Sequence, residues 1–150
     1  MYGVVCIIAF LVFITDFFIK NHLLANTVSS TPLIKNILYI TVVLNKGAAF
    51  GMLAGQTTFL IYVGIIFVLF FLISIKRGKR RDFLFLVSSG LILGGALSNL
   101  YDRILLGYVV DYIDIRIWPV FNLSDSCISI GVFLLLIDSF KKNGKKNNCS

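Results

Sequence analysis

Residues 59–81 read FLIYVGIIFVLFFLISIKRGKRR. From Phe59 to Ile75 there is no charge, and five of the next six residues are Lys or Arg. A bilayer core about 30 Å thick needs about 20 apolar residues in a helix. This stretch therefore predicts a membrane-spanning helix that ends in a basic loop. Three further segments follow the same rule. They are Tyr2–Ile19, charged only at Asp16; Phe83–Tyr101, uncharged; and Leu123–Phe140, with Asp125 and Asp138 near its ends. The first lacks the basic leader and A-x-A site of a cleaved signal peptide. The expected architecture is an α-helical membrane protein of four transmembrane helices, one integral membrane domain over residues 1–150.

Composition agrees. Of the 150 residues, 58% are apolar and 14% charged, against about 45–50% and about 25% in soluble domains. That excludes a disordered chain, a disulfide scaffold and an ordinary cytosolic enzyme. Cys6, Cys127 and Cys149 have no metal or disulfide spacing. Lys and Arg number 14 against seven Asp, with no Glu at all. Basic loops mark the cytoplasmic side. Placing the 76–81 loop and the 141–146 tail there puts both termini in the cytoplasm, with nine basic residues and two Asp. The outer side then carries Lys20, Lys35, Lys46, Arg103 and Arg116 against five Asp, and is neutral. The net charge of +7 is thus an orientation signal and not a nucleic-acid footprint.

The outer connections are the informative ones. In the segment at 21–58, Ile37–Val43 is rich in β-branched and aromatic residues and reads as an extracytoplasmic strand before a Gly-Ala turn. In span three, Gly90 and Gly94 form a G-x-x-x-G that permits close helix packing, with Ser98 and Asp102 next in the row. The adjacent row carries Gly95, Asn99 and Arg103.

Ionisable groups near a membrane default to functional candidates. Asp16, Asp102, Asp111, Asp114 and Asp125 fall on the outer side, with Asn45, Asn99, Asn122 and Arg103. Most have a plain structural reading. Asp16 and Lys20 have the spacing of a helix-end ion pair, worth a few tenths of a kcal/mol (about 0.2–0.5). Asn122-Leu-Ser-Asp125 has the form of a capping box. Asp102-Arg103 has the form of an interfacial pair that stops span three. Asp111 has the weakest such reading, because Tyr108-Val-Val and Tyr112-Ile make an apolar strand or helix edge around it.

The order of the blocks is more specific than any one of them. Asp16-x-x-x-Lys20, Asn45-Lys-Gly-Ala-Ala-Phe50, Asn99-Leu-Tyr-Asp102-Arg103, Val109-Val-Asp111-Tyr112 and Phe121-Asn122-Leu-Ser-Asp125 follow one another from Asp16 to Gly131. This closely resembles the lipoprotein signal peptidases of bacteria, the type II signal peptidases. The resemblance implies a membrane aspartyl endopeptidase with Asp111 and Asp125 as the catalytic pair. Asn45, Asn99, Asp102, Arg103, Asn122, Asp16 and Lys20 would support the site or contact substrate. It further implies diacylglyceryl-modified prolipoproteins as substrates, cut just before the lipidated cysteine at the outer face of the cytoplasmic (inner) membrane. Membrane lipids, and inhibitors of the cyclic-peptide antibiotic class, are the other implied partners, with no cofactor and no metal. A monomer would suffice. The chain departs from the common pattern at Phe17 (usually Gln), Gly51 (Ser), Ser98 (Gly) and Ser124 (Ala). The Ser124 hydroxyl is expected to add a hydrogen bond beside the pair.

Two carboxylates held close share a proton, so one can take a proton from water while the other donates to the scissile carbonyl. Other classes fit less well. A small multidrug-type transporter subunit of four spans typically has a Glu in its first span, and this chain has none. A presenilin-type protease would carry G-x-G-D, but Asp111 follows Tyr-Val-Val. A purely structural membrane subunit is the blandest alternative.

Overall fold

A computed structural model describes residues 2–26, 30–47, 53, 55–77 and 82–147, with side-chain surroundings as far as Lys141. Ala48, Ala49, Phe50 and Gly51 of the Asn45 block, most of the 76–81 basic run and Cys149 lie outside the described residues. Four helices are long and apolar enough to cross a membrane: α1 (Tyr2–Ala25), α2 (Thr57–Arg77), α3 (Phe83–Leu105) and α4 (Leu123–Asn147, apolar to Lys141). Three strands form one antiparallel sheet in the order β1 (Thr31–Ile34), β2 (Leu38–Asn45) and β3 (Val109–Asp114).

The polarity of the bundle is the reverse of a water-soluble one. Phe10, Ile66, Phe70 and Phe133 on three of the helices are each more than 60% exposed, while Asp16, Lys20, Ser98, Asn99 and Asp102 are buried. Lipid solvates the outer apolar faces, and polar groups must find partners inside. This explains why α1 and α3 run past the expected ends at Ile19 and Tyr101. Lys20, Asp102 and Arg103 would stop a helix facing lipid, but here they turn inward and the backbone continues.

α1 and α3 run side by side in the same direction. Up the interface, Gly90 meets Ile8, Gly94 meets Ala9 and Val12, Ser98 meets Asp16, and Asp102 meets Lys20. The G-x-x-x-G thus packs against the first span. A Cβ on Gly94 would lie 2.6 Å from the Ala9 carbonyl oxygen, so the two backbones need the glycine to approach this closely. Gly95, one residue on, faces α4, where a Cβ would lie 2.5 Å from the Ser124 carbonyl oxygen. Span three is therefore the centre of the bundle, and α2 rests on it through Val68 and Ile75.

The strand read at 37–43 is β2, shifted to 38–45. It turns back to β1 through Asn36, whose φ of 64° suits a short polar side chain. The third strand comes from the connection between α3 and α4. β3 pairs with β2 so that Asn45 faces Val109 and Val43 faces Asp111. Its residues are buried on both faces except Ile113, so it shows none of the alternation that marks a strand in sequence. A tight return then pairs Ile113 with Phe121 and delivers the chain to the start of α4.

Gly94→Ala should lower stability by about 1–3 kcal/mol, because backbone and not a flexible side chain meets the new methyl. Gly3→Ala, which meets open space, should cost nothing measurable. Thermal unfolding in detergent micelles checks both.

Candidate active site

Asp111 comes from β3 and Asp125 from the first turn of α4. Both border one cavity of about 830 Å³, together with Asn45, Asn99, Arg103 and Phe121. Each carboxylate is held by a separate side-chain amide. Asn122 Nδ2 donates to Asp111 Oδ1 at 2.8 Å, and Asn99 Nδ2 donates to Asp125 Oδ1 at 2.8 Å. The two amides are themselves linked, because Asn122 Nδ2 also lies 3.1 Å from Asn99 Oδ1. Asn45 Nδ2 reaches the second oxygen of Asp111 at 2.9 Å. That reach follows from the sheet register: Asn45 lies opposite Val109, and Asp111 is the same-face diagonal neighbour.

Asn122 is also the N-cap that its spacing suggested. Its Oδ1 accepts from Asp125 N at 2.8 Å, while Asp125 Oδ2 accepts from Asn122 N at 3.3 Å. The capping box and the carboxylate site are thus one structure. The helix start fixes the backbone of Asp125, and the same Asn reaches Asp111 with its amide.

Behind the amides lies a buried lysine. Lys20 Nζ stands 2.7 Å from Asp16 Oδ2 and 2.8 Å from Asp102 Oδ2, and donates to Asn99 Oδ1 at 3.2 Å. Asp16 is fully buried and Lys20 nearly so. The i, i+4 pair that the spacing suggested is formed, but it is buried and shared with Asp102 instead of standing as a simple helix-end pair. Asp102 pairs with Lys20 rather than with its neighbour Arg103, and its Oδ2 also accepts from Val110 N at 3.2 Å, tying β3 to α3. Arg103 instead donates to the carbonyls of Asn99 and Gly47 at 3.2 and 3.1 Å, beside the cavity.

All nine residues singled out in the sequence thus gather at one end of the bundle: Asp16, Lys20, Asn45, Asn99, Asp102, Arg103, Asp111, Asn122 and Asp125. Asp114, grouped with them by side of the membrane, does not join. It accepts from Thr41 Oγ1 and from Arg116 N, both at 2.9 Å, and the latter bond is the main reason its carboxyl is held below the usual range. Arg116 lies 3.6 Å over the Tyr39 ring and closes that end of the sheet. The Ser124 hydroxyl, expected to add a hydrogen bond beside the pair, donates to Asp16 at 2.6 Å. Sequence reading also missed Ser98 and Tyr112, which donate to the same carboxylate at 2.7 and 2.9 Å.

Burial pushes the Asp111 carboxyl up to about 6; the Asn45 bond opposes this, the Asp125 charge adds to it, and the Asn122 bond and Lys20 charge oppose it. A carboxyl with that balance exchanges a proton near neutral pH. Two carboxylates on one cavity can hold one proton between them and pass it to or from a bound molecule.

Comparisons with known proteins place the chain in a family. The family model described as signal peptidase (SPase) II matches residues 8–141. A protein of Halothermothrix orenii called lipoprotein signal peptidase is 49% identical over 108 residues, covering 72% of this chain and 74% of that one. One of the same name from Desulfitobacterium hafniense is 48% identical over 109 residues, covering 72% of each. Two solved structures described as bacterial membrane enzymes, obtained by the in meso method at 2.3 and 1.9 Å, superpose with TM-scores of 0.89 and 0.83. They are 35% and 36% identical and cover 96% and 93% of this chain, and 92% and 94% of their own. None of these likenesses supports a transporter.

Two outcomes follow. Lys20→Met leaves Asp16 and Asp102 without their cation and should cost about 3–5 kcal/mol, read by thermal unfolding. Asn45→Ala removes a donor that favours the charged form of Asp111, so its ionisation midpoint should rise above about 6. Carboxyl ¹³C NMR across pH 4–9 measures it, and a fall would contradict the sign.

Proposed function

The chain belongs to the signal peptidase II family, and on that premise we propose that it is an aspartic endopeptidase whose catalytic pair is Asp111 and Asp125. Its substrates are prolipoproteins whose cysteine carries a diacylglyceryl group, and it cuts the bond just before that cysteine. What carries this reading is the placement of the two carboxylates. They border one cavity, each is held by one of two linked asparagine amides, and a buried lysine bonds one of those asparagines.

The chemistry follows from one shared proton. The ionised carboxylate takes a proton from a water as its oxygen attacks the scissile carbonyl. The protonated carboxyl donates a hydrogen bond to the carbonyl oxygen, which gains negative charge. The tetrahedral intermediate then collapses, the C–N bond breaks, and the leaving amine takes a proton from the pair. Water has been added across the peptide bond and the pair is back in its starting state. The pair titrates as a unit, so neither role is tied to one residue. Asn99 and Asn122 keep the carboxylates aimed, and Lys20 offsets their charge from behind.

The position suits a lipid-borne substrate. Lys20, Asp102 and Asp125 stand at one end of the bundle, where the sheet covers it. Orienting the basic loop and tail to the cytoplasm places this end at the outer face of the cytoplasmic membrane, where a diacylglyceryl group lies at the boundary. Val43, Leu44, Val109, Val120, Phe121 and Ile128 give the cavity an apolar wall for such a chain. Residues 1–150 would act as one integral membrane unit, and every group the reaction uses comes from a single copy.

Asp111→Asn and Asp125→Asn should each reduce cleavage of a diacylglyceryl-modified prolipoprotein by roughly 10²–10⁴-fold or more, with membrane insertion unchanged. Processing of that substrate by either purified variant at the normal rate would remove the assignment.

A further inference from the structure

Four donors meet on the Asp16 carboxylate. Ser98 Oγ, Ser124 Oγ and Lys20 Nζ stand 2.7, 2.6 and 2.7 Å from Oδ2, and Tyr112 OH donates to Oδ1 at 2.9 Å. The three hydroxyls come from α3, α4 and β3, and all are buried. Each adjoins a residue of the carboxylate site: Ser98 precedes Asn99, Tyr112 follows Asp111, and Ser124 precedes Asp125. One oxygen pair on α1 thus fixes the three segments that carry Asp111, Asp125 and the amide holding Asp125.

These are not the bonds such side chains make by default. A serine within a helix commonly donates to the carbonyl four residues back, as Ser74 does to Phe70 and Ser88 does to Leu84. Ser98 sends its hydrogen across the bundle instead. The Tyr112 oxygen accepts from Leu123 N at 3.2 Å, so its hydrogen is directed at Asp16. Burial, and next the Asp16 charge, push that phenol up, so it remains a donor.

We propose that Ser98, Tyr112 and Ser124 are positioning residues for the reaction, acting through Asp16. Their hydroxyls register β3 and the start of α4 against α1, and so set the placement of Asp111 relative to Asp125. They also share the Asp16 charge, which leaves the Lys20 ammonium free to bond Asn99 and face the pair. The inference rests on the proposed catalytic role of Asp111 and Asp125.

The test uses the full chain in detergent, with Ser98→Ala/Ser124→Ala and, separately, Tyr112→Phe, each removing oxygen atoms only. At a temperature where all forms are folded, kcat for a diacylglyceryl-modified peptide should fall roughly tenfold in the double variant, as expected for lost bonds to a charged group. KM should stay within about twofold, since none of the three borders the cavity. The Asp111 ionisation midpoint should rise by about half a pH unit, because Lys20, drawn to an Asp16 that has lost its hydroxyl donors, favours the charged form of Asp111 less. Asp125 on α4 raises it and Lys20 on α1 lowers it; Asp16 on α1 and Asp102 on α3 hold that lysine, and Arg103 on α3 borders the same cavity. This midpoint, read by carboxyl ¹³C NMR, needs no turnover. An unshifted midpoint with unchanged kcat, even with a lower melting temperature, would reduce the hydroxyls to packing bonds and overturn the proposal. A shifted midpoint would support the positioning role even if the unsubstituted chain failed to cleave, a failure that would count against the catalytic reading alone.

Discussion

A lysine ammonium buried between two carboxylates holds this protein's polar interior together. Taking Lys20 out of water costs several kcal/mol, and only close, well-bonded partners offset that. Asp16 and Asp102 supply them at 2.7 and 2.8 Å, from two different helices. For the three groups to meet, α1 and α3 must run close together. The glycines at 90 and 94 permit that approach. Small residues lower in the bundle and charges at its end are thus two parts of one constraint.

The sheet depends on the same constraint. Asp102 accepts from the backbone of β3, and Tyr112 of β3 donates to Asp16, so the strand is bonded to the charged cluster at two points. β2 adds Asn45 through its register. The capping box of α4 brings Asp125 from the fourth side. Each element reaching the cavity is thereby anchored to fixed charge rather than to apolar packing alone. That suits a site in lipid, where apolar packing between helices has no solvent to drive it.

The four spans and the six charged residues of the cluster were legible in the sequence, because charges in an apolar chain are costly and few, and the order of the blocks marked Asn45, Asn99 and Asn122 beside them. Their partners were not. Lys20 and Asp102 are far apart in the chain, and the i, i+4 spacing of Asp16 and Lys20 looks the same whether the pair is wet or buried. β3 was legible only as an apolar edge around Asp111, since burial on both faces erases the alternation of a strand. The acceptor of the Ser124 hydroxyl, Asp16 on α1, was not legible either. Asp125 faces the cavity, and consecutive helical residues diverge by about 100°, so its neighbour Ser124 turns elsewhere. The resemblance to a known family supplied the pairing of Asp111 with Asp125, and bonded amides in the fold then bring the two to one cavity.

The proposed activity is hydrolysis of a lipid-marked peptide bond by one chain alone, with Asp111 and Asp125 as the catalytic pair. The most direct measurement incubates the purified chain, reconstituted in phosphatidylglycerol vesicles, with paired peptides that differ only in a diacylglyceryl group on cysteine. Mass spectrometry then locates the cut. The modified peptide should be cleaved just before the cysteine, and the unmodified one little or not at all. No cleavage by the folded chain, or equal cleavage of both peptides, would contradict it.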